Sequence, residues 1–130
     1  MLLDTSGLFC MFHLAEPRSA DAQTLFEAAP RKLTHGYVLA EFVALVLARG
    51  LPRRQALEFH DALLAHPDVE TVWVTEALHV AGVRLLEARL DKTYTLCDAV
   101  SLVLMHERGV TEALTTDRHF EQEGFRRLLA

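Results

Sequence analysis

At 130 residues the chain has the usual length of one domain, and with 51% hydrophobic residues it has ample apolar surface for a core. A formal charge of −5 argues at first against a polyanionic partner such as nucleic acid. Glu41 splits the longest apolar run and no basic segment precedes the acid at position 4, which excludes a membrane-spanning helix and an export signal and points to a soluble cytoplasmic protein.

Met1 to Asp4 reads as a short buried strand that runs into the turn Asp4-Thr5-Ser6-Gly7 and then a helix over Leu8 to Leu14, closed near Pro17. The spacing of Ala22, Leu25, Phe26 and Ala29 predicts a helix over Ala20 to Ala29 that Pro30 stops, and a brief strand follows near Leu33 and Thr34. Tyr37 to Arg49 is too long for a strand, rich in Ala and Leu, and followed by Gly50 at the capping position; it is predicted as a helix buried on nearly every side. Pro52 opens a helix over Arg53 to Ala65, closed by His66-Pro67. β-Branched and aromatic residues predict a strand over Val69 to Val74, after which Thr75 caps a helix from Glu76 to about Leu90. The polar connector Asp91 to Tyr94 leads to Thr95, which opens a helix that runs through Asp98 to Arg108 and ends at Gly109. A strand over Glu112 to Thr116, a short helix over His119 to Glu123, and a strand near Arg126 to Leu129 complete the chain. Short strands alternating with helices predict a single α/β domain over residues 1–130, a three-layer α/β/α sandwich whose short parallel sheet has about five strands.

The apolar surplus, with a mean hydropathy of +0.15, exceeds what one small core consumes and points to burial against a second copy or a partner. Phe9, Phe12, Phe26, Phe42 and Phe59 fall at apolar helical positions and read as core or interface residues. Cys10 and Cys97 have neither the spacing of a zinc site nor the number for a disulfide scaffold, and read as small core residues.

Asp4, Glu41, Asp98 and Asp117 stand in surroundings too apolar for ordinary surface acids. A buried carboxylate without a partner costs several kcal/mol, on the order of the desolvation penalty per ion, so something cationic should meet them. Asp4 and Asp117 end predicted strands and Asp98 begins a helix, which puts them at the carboxyl edge where parallel sheets bind ligands; Glu41 reaches inward from the first turns of its helix. Each also has a plainer explanation. Thr95 to Asp98 fits a capping box, Asp117 fits an N-cap, Asp4 could accept bonds from the Ser6 and Gly7 amides, and Glu41 could meet a buried arginine. One shared divalent-metal site explains all four at once, and hard carboxylate oxygens suit Mg2+ or Mn2+. Each bound ion offsets two negative charges, so the formal balance does not exclude a phosphate-bearing partner.

The opening LLDTSG, the segment AEFVAL, the block YTLCDAVSLVLMHERGV and the closing EALTTDRHFEQEGFRRLL resemble the PIN-domain ribonucleases, in particular the VapC-like toxins of toxin-antitoxin pairs, over nearly the whole chain. The resemblance implies a PIN-like sandwich and an Mg2+- or Mn2+-dependent endoribonuclease, with Asp4, Glu41, Asp98 and Asp117 as catalytic and metal-binding residues. It also implies supporting hydroxyls at Thr5 and Thr116, an RNA substrate and an antitoxin partner. Cys97 stands where such sequences often carry a hydroxyl or small residue. Arg118 and His119 are candidate substrate contacts, although Arg118 could equally pair with Glu121 or Glu123, and most of the seven histidines read as solvated. A homodimer is expected from the apolar surplus. The competing readings are a non-catalytic PIN-like binding module and a receiver-type phosphoryl-transfer domain; the latter needs a lysine opposite the acids, for which Lys32 and Lys92 are poorly placed.

Overall fold

Leu2 and Leu3 show how the layers arise. Successive side chains of a strand face opposite sides of a sheet, and both leucines are fully buried, so strand β1 (Leu2–Leu3) is covered on both faces. In the computed structural model, which describes all 130 residues, Leu3 packs with side chains from α1 (Thr5–Phe12), α2 (Ser19–Ala28), α3 (Gly36–Ala48) and α4 (Arg53–Ala65). Leu2 packs on the other face with side chains from α5 (Glu76–Glu87), α6 (Leu96–Arg108) and α7 (His119–Gln122).

Strands β2 (Lys32–His35), β3 (Val69–Val72), β4 (Glu112–Leu114) and β5 (Arg126–Arg127) join β1 in a five-stranded sheet of order β3-β2-β1-β4-β5. Every pairing is parallel, with Leu2 opposite Leu33 on one side and opposite Ala113 on the other. The chain builds outward from β1 to β3, then crosses over to β4, so the strand order reverses between β1 and β4. Ligands of open parallel sheets bind beyond the carboxyl ends at such a point. Asp4 leaves β1 there, and Thr115-Thr116-Asp117 leave β4. No helix is long and apolar enough to cross a membrane.

The expected turn over Asp4 to Gly7 is absent: α1 starts at Thr5, and Asp4 is its N-cap residue by backbone conformation. Gly7 permits this, because a Cβ at that position would fall on the Leu114 carbonyl oxygen. The helix therefore presses directly onto β4. Nor is α3 buried on nearly every side. Val38, Leu39, Phe42 and Val46 suffice as its core stripe, leaving Ala40, Glu41, Ala44 and Leu47 exposed. Its small, apolar outer face mimics a buried sequence. Strands β3, β4 and β5 each stop two residues before their expected ends, α1 ends at Phe12 instead of Leu14, and α5 ends at Glu87 instead of Leu90.

Candidate metal centre

Asp4 is 4% exposed, and its carboxylate is held by hydroxyls. Thr115 Oγ1 donates to Asp4 Oδ2 at 2.7 Å, and Ser6 Oγ lies 3.4 Å from the same oxygen. Thr115 Oγ1 also accepts from the Asp117 amide at 3.0 Å, while Ser6 Oγ accepts from the Thr116 amide at 3.0 Å. These bonds tie the start of α1 to the loop after β4, so Asp4 and Asp117 are fixed relative to each other. The Ser6 and Gly7 amides do not cap Asp4. Burial pushes the Asp4 carboxyl up to about 7; the Thr115 bond opposes this, and the charges of Asp98 and Asp117 add to it.

Asp98 lies in the first turn of α6 as part of a complete capping box. Its Oδ2 accepts from the Thr95 amide at 2.9 Å, and its own amide donates to Thr95 Oγ1 at 3.1 Å. Burial raises the Asp98 carboxyl pKa; the Thr95 amide bond lowers it, the Asp117 charge raises it and His119 lowers it. The cap and the cluster thus use the same side chain. Asp117 Oδ1 accepts from the His119 amide at 2.9 Å, and His119 Nδ1 stands 3.2 Å from both Asp98 Oδ2 and Asp117 Oδ1. One ligand atom from each of Asp98, Asp117 and His119 falls within a span of 4.8 Å.

Glu41 is exposed on α3, outside this tight group. Its charge is nevertheless felt at the start of α6. Burial pushes the Cys97 thiol pKa up, and Glu41, then Asp4 and Asp98, push it further. An exposed acid needs no arginine partner, and Glu41 has none. Thr5 is buried with its hydroxyl against the Cys97 thiol, while Thr116 is half-buried and offers backbone contacts: its amide to Ser6 and its carbonyl to Arg127.

Thr115, one residue before Thr116, supplies the hydroxyl that meets Asp4. Both threonines lie beyond the end of β4, so strand alternation does not separate them; Thr115 is the buried one. Ser6 was likewise outside the expected set. Arg118 is exposed and forms no ion pair, because Glu121 pairs with Arg127 and Glu123 with Arg89. Of the seven histidines only His106 is exposed. His35 is fully buried, its Nδ1 accepting from the Tyr37 and Val38 amides at the start of α3 and its Nε2 lying 2.8 Å from Ser101 Oγ. His13, His66 and His79 rest against Phe9, Phe26 and Tyr37, which is why they are not free in solvent.

No lysine or arginine pairs with Asp4, Glu41, Asp98 or Asp117. Lys32 approaches Asp68 and Lys92 pairs with Asp91. A cavity of about 670 Å³ opens at the opposite end of the sheet around Lys32, Asp68 and Arg108, and none of the four acids lines it. Two buried carboxyls are driven toward protonation by desolvation and by neighbouring carboxylate charge. A divalent cation would stabilise the ionised carboxylates, and the carboxylate-rich donor set suits a hard ion. The residues present fit such an ion.

The PIN domain family profile matches residues 1–125. No curated protein matches the sequence. The crystal structure of VapC20 from Mycobacterium tuberculosis, a sarcin-ricin loop cleaving toxin, superposes with a TM-score of 0.86 at 26% sequence identity, covering 95% of each chain.

Proposed function

Because this chain belongs to the PIN domain family, we propose that it is a metal-dependent endoribonuclease acting as the toxin of a toxin-antitoxin pair. The observation that supports the reading is the close grouping of Asp98 and Asp117, whose charges also reach the buried Asp4, without a lysine or arginine among them. Mg2+ or Mn2+ would be held by these carboxylates, with Glu41 joining from the exposed side of α3. When bound, such an ion supplies Lewis acidity that activates water and offsets charge building on a phosphate.

The chain's own residues do the rest. Thr115 orients Asp4, the Thr95 amide orients Asp98, and the free guanidinium of Arg118 beside Asp117 contacts an RNA phosphate. Thr5 and Thr116 serve as supporting polar groups of the centre. The reading takes residues 1–130 as one PIN-like domain working in the cytoplasm. An antitoxin would cover the site, and a homodimer would bury part of the exposed apolar surface that includes Leu47, Leu57 and Leu64.

Incubation of the purified protein with structured and unstructured RNA, including a sarcin-ricin loop hairpin, in Mg2+, Mn2+ or EDTA tests the proposal. Cleavage should require metal and should fall by at least about a hundredfold in Asp4→Asn and Asp98→Asn, both still folded by circular dichroism. RNA binding without cleavage under every condition would instead favour a non-catalytic binding module.

A further inference from the structure

His119 occupies a position that an all-carboxylate centre does not explain. Its ring is fixed at both nitrogens: Nδ1 faces Asp98 and Asp117 at 3.2 Å each, and Nε2 lies 2.8 Å from Thr93 Oγ1. The Tyr94 ring packs edge-on against it, with centroids 5.2 Å apart, and the Tyr94 hydroxyl is in turn anchored on Glu123 at 3.0 Å. An imidazole merely capping two acids at a surface does not need this outer support.

We propose that His119 is itself a ligand of the divalent ion, through Nδ1, and that this nitrogen makes the centre prefer manganese to magnesium. The inference rests on the metal-dependent reading above. For metal–donor bonds of ~2.1 Å, adjacent donors of an octahedron lie ~3 Å apart. The Nδ1 to carboxylate separations of 3.2 Å already approach that value.

Proton accounting is also consistent. Without metal, an Nδ1–H would face the two carboxylates while the Thr93 hydroxyl donated to Nε2. With metal, the Nδ1 lone pair would be free to bind, and Nε2–H would donate to the same Thr93 oxygen. A hydroxyl both donates and accepts, so one Thr93 position serves both tautomers. A metal-bound imidazole that donates its other N–H to an outer partner is the usual arrangement.

The choice of ion follows from the donor. Mg2+ sheds water reluctantly and favours oxygen, so it gains little from an imidazole. Mn2+ belongs to the transition series, whose affinity for mixed nitrogen and oxygen sites exceeds that of a purely hard ion.

The direct test needs no RNA. Mn2+ is added to the full chain, and pulsed electron paramagnetic resonance is used to look for coupling of the manganese electron spin to a nitrogen nucleus. The wild type should show that coupling and His119→Ala should lose it. In calorimetric titrations His119→Ala should weaken Mn2+ binding by at least about tenfold, with Mg2+ binding changed by less than about threefold. Thr93→Val, which keeps the ring but removes its outer partner, should weaken Mn2+ in the same direction. Manganese bound by the wild type and weakened by Asp98→Asn, yet without nitrogen coupling, overturns the role of His119 while leaving the nuclease reading intact. Failure of the wild type to bind either ion overturns both. The wild-type spectrum decides even if a variant misfolds.

Discussion

Asp4 and His35 carry burial penalties of opposite sign. In the metal-free protein the Asp4 carboxyl is raised from 3.8 to about 7, so the folded state binds its proton more tightly than the unfolded chain does. Its contribution to stability is fully present below pH ~4 and is lost as pH rises toward ~7. Burial lowers the His35 imidazole from 6.5 to about 4, so its contribution is present above pH ~6.5 and is lost as pH falls toward ~4. The windows overlap and oppose each other. The Asp98 carboxyl is raised in the same direction as Asp4, so the contrast lies in the change of slope. In thermal melts in EDTA from pH 4 to pH 7, the dependence of stability on pH should become more positive in Asp4→Asn than in wild type and more negative in His35→Asn, which preserves a side chain able to cap α3. Parallel slopes in the two variants would rule out this assignment. Asp98→Asn should also melt higher than wild type in EDTA, because it removes one of the charges that repel each other in the cluster.

At the scale of elements, the site depends on how closely α1 approaches β4. The Asp4 amide donates to the Leu114 carbonyl at 3.2 Å, and Gly7 lies against the same carbonyl. Gly7→Ala should therefore destabilise the fold by about 1–3 kcal/mol, the usual cost of overpacking, and should weaken metal binding by displacing Asp4 from Thr115. A urea melt and a Mn2+ titration check this; an unchanged melting midpoint would show that α1 has room to shift. Elements bounded by strong local signals were legible in the sequence. Pro52 and His66-Pro67 fixed both ends of α4, Thr95 to Asp98 formed the capping box that their spacing suggested, and Gly109 ends α6 at φ 65°. The start of α1 was not legible, because it depends on a carbonyl more than a hundred residues away in the chain. The exposure of Glu41 was hidden by the alanines around it, which belong equally to a core and to a bare helix face. The sequence marks His119 only as a candidate substrate contact, because its neighbours give no hint that Thr93 and Tyr94 would close on it.

At the scale of the molecule, a sheet covered on both faces leaves its edges as the places where polar chemistry can collect, and Asp4 and Asp117 leave adjacent strands β1 and β4 at one of them, where the strand order reverses. The opposite edge binds Lys32 between Asp68 and the Phe26 ring, keeping its charge away from the centre. The formal charge of −5 thus includes a concentrated cluster without a lysine or arginine counter-charge. Leu14, Leu90 and Trp73 remain well exposed. The central claim is that carboxylates from distant parts of the chain share a divalent ion. A crystal grown with Mn2+ and measured near the manganese absorption edge tests it most directly. The account predicts an anomalous peak within about 2.5 Å of oxygens from both Asp98 and Asp117, with Asp4 no farther than one bridging water away. A crystal saturated with manganese that shows no such peak, or one held by a single carboxylate alone, would contradict it.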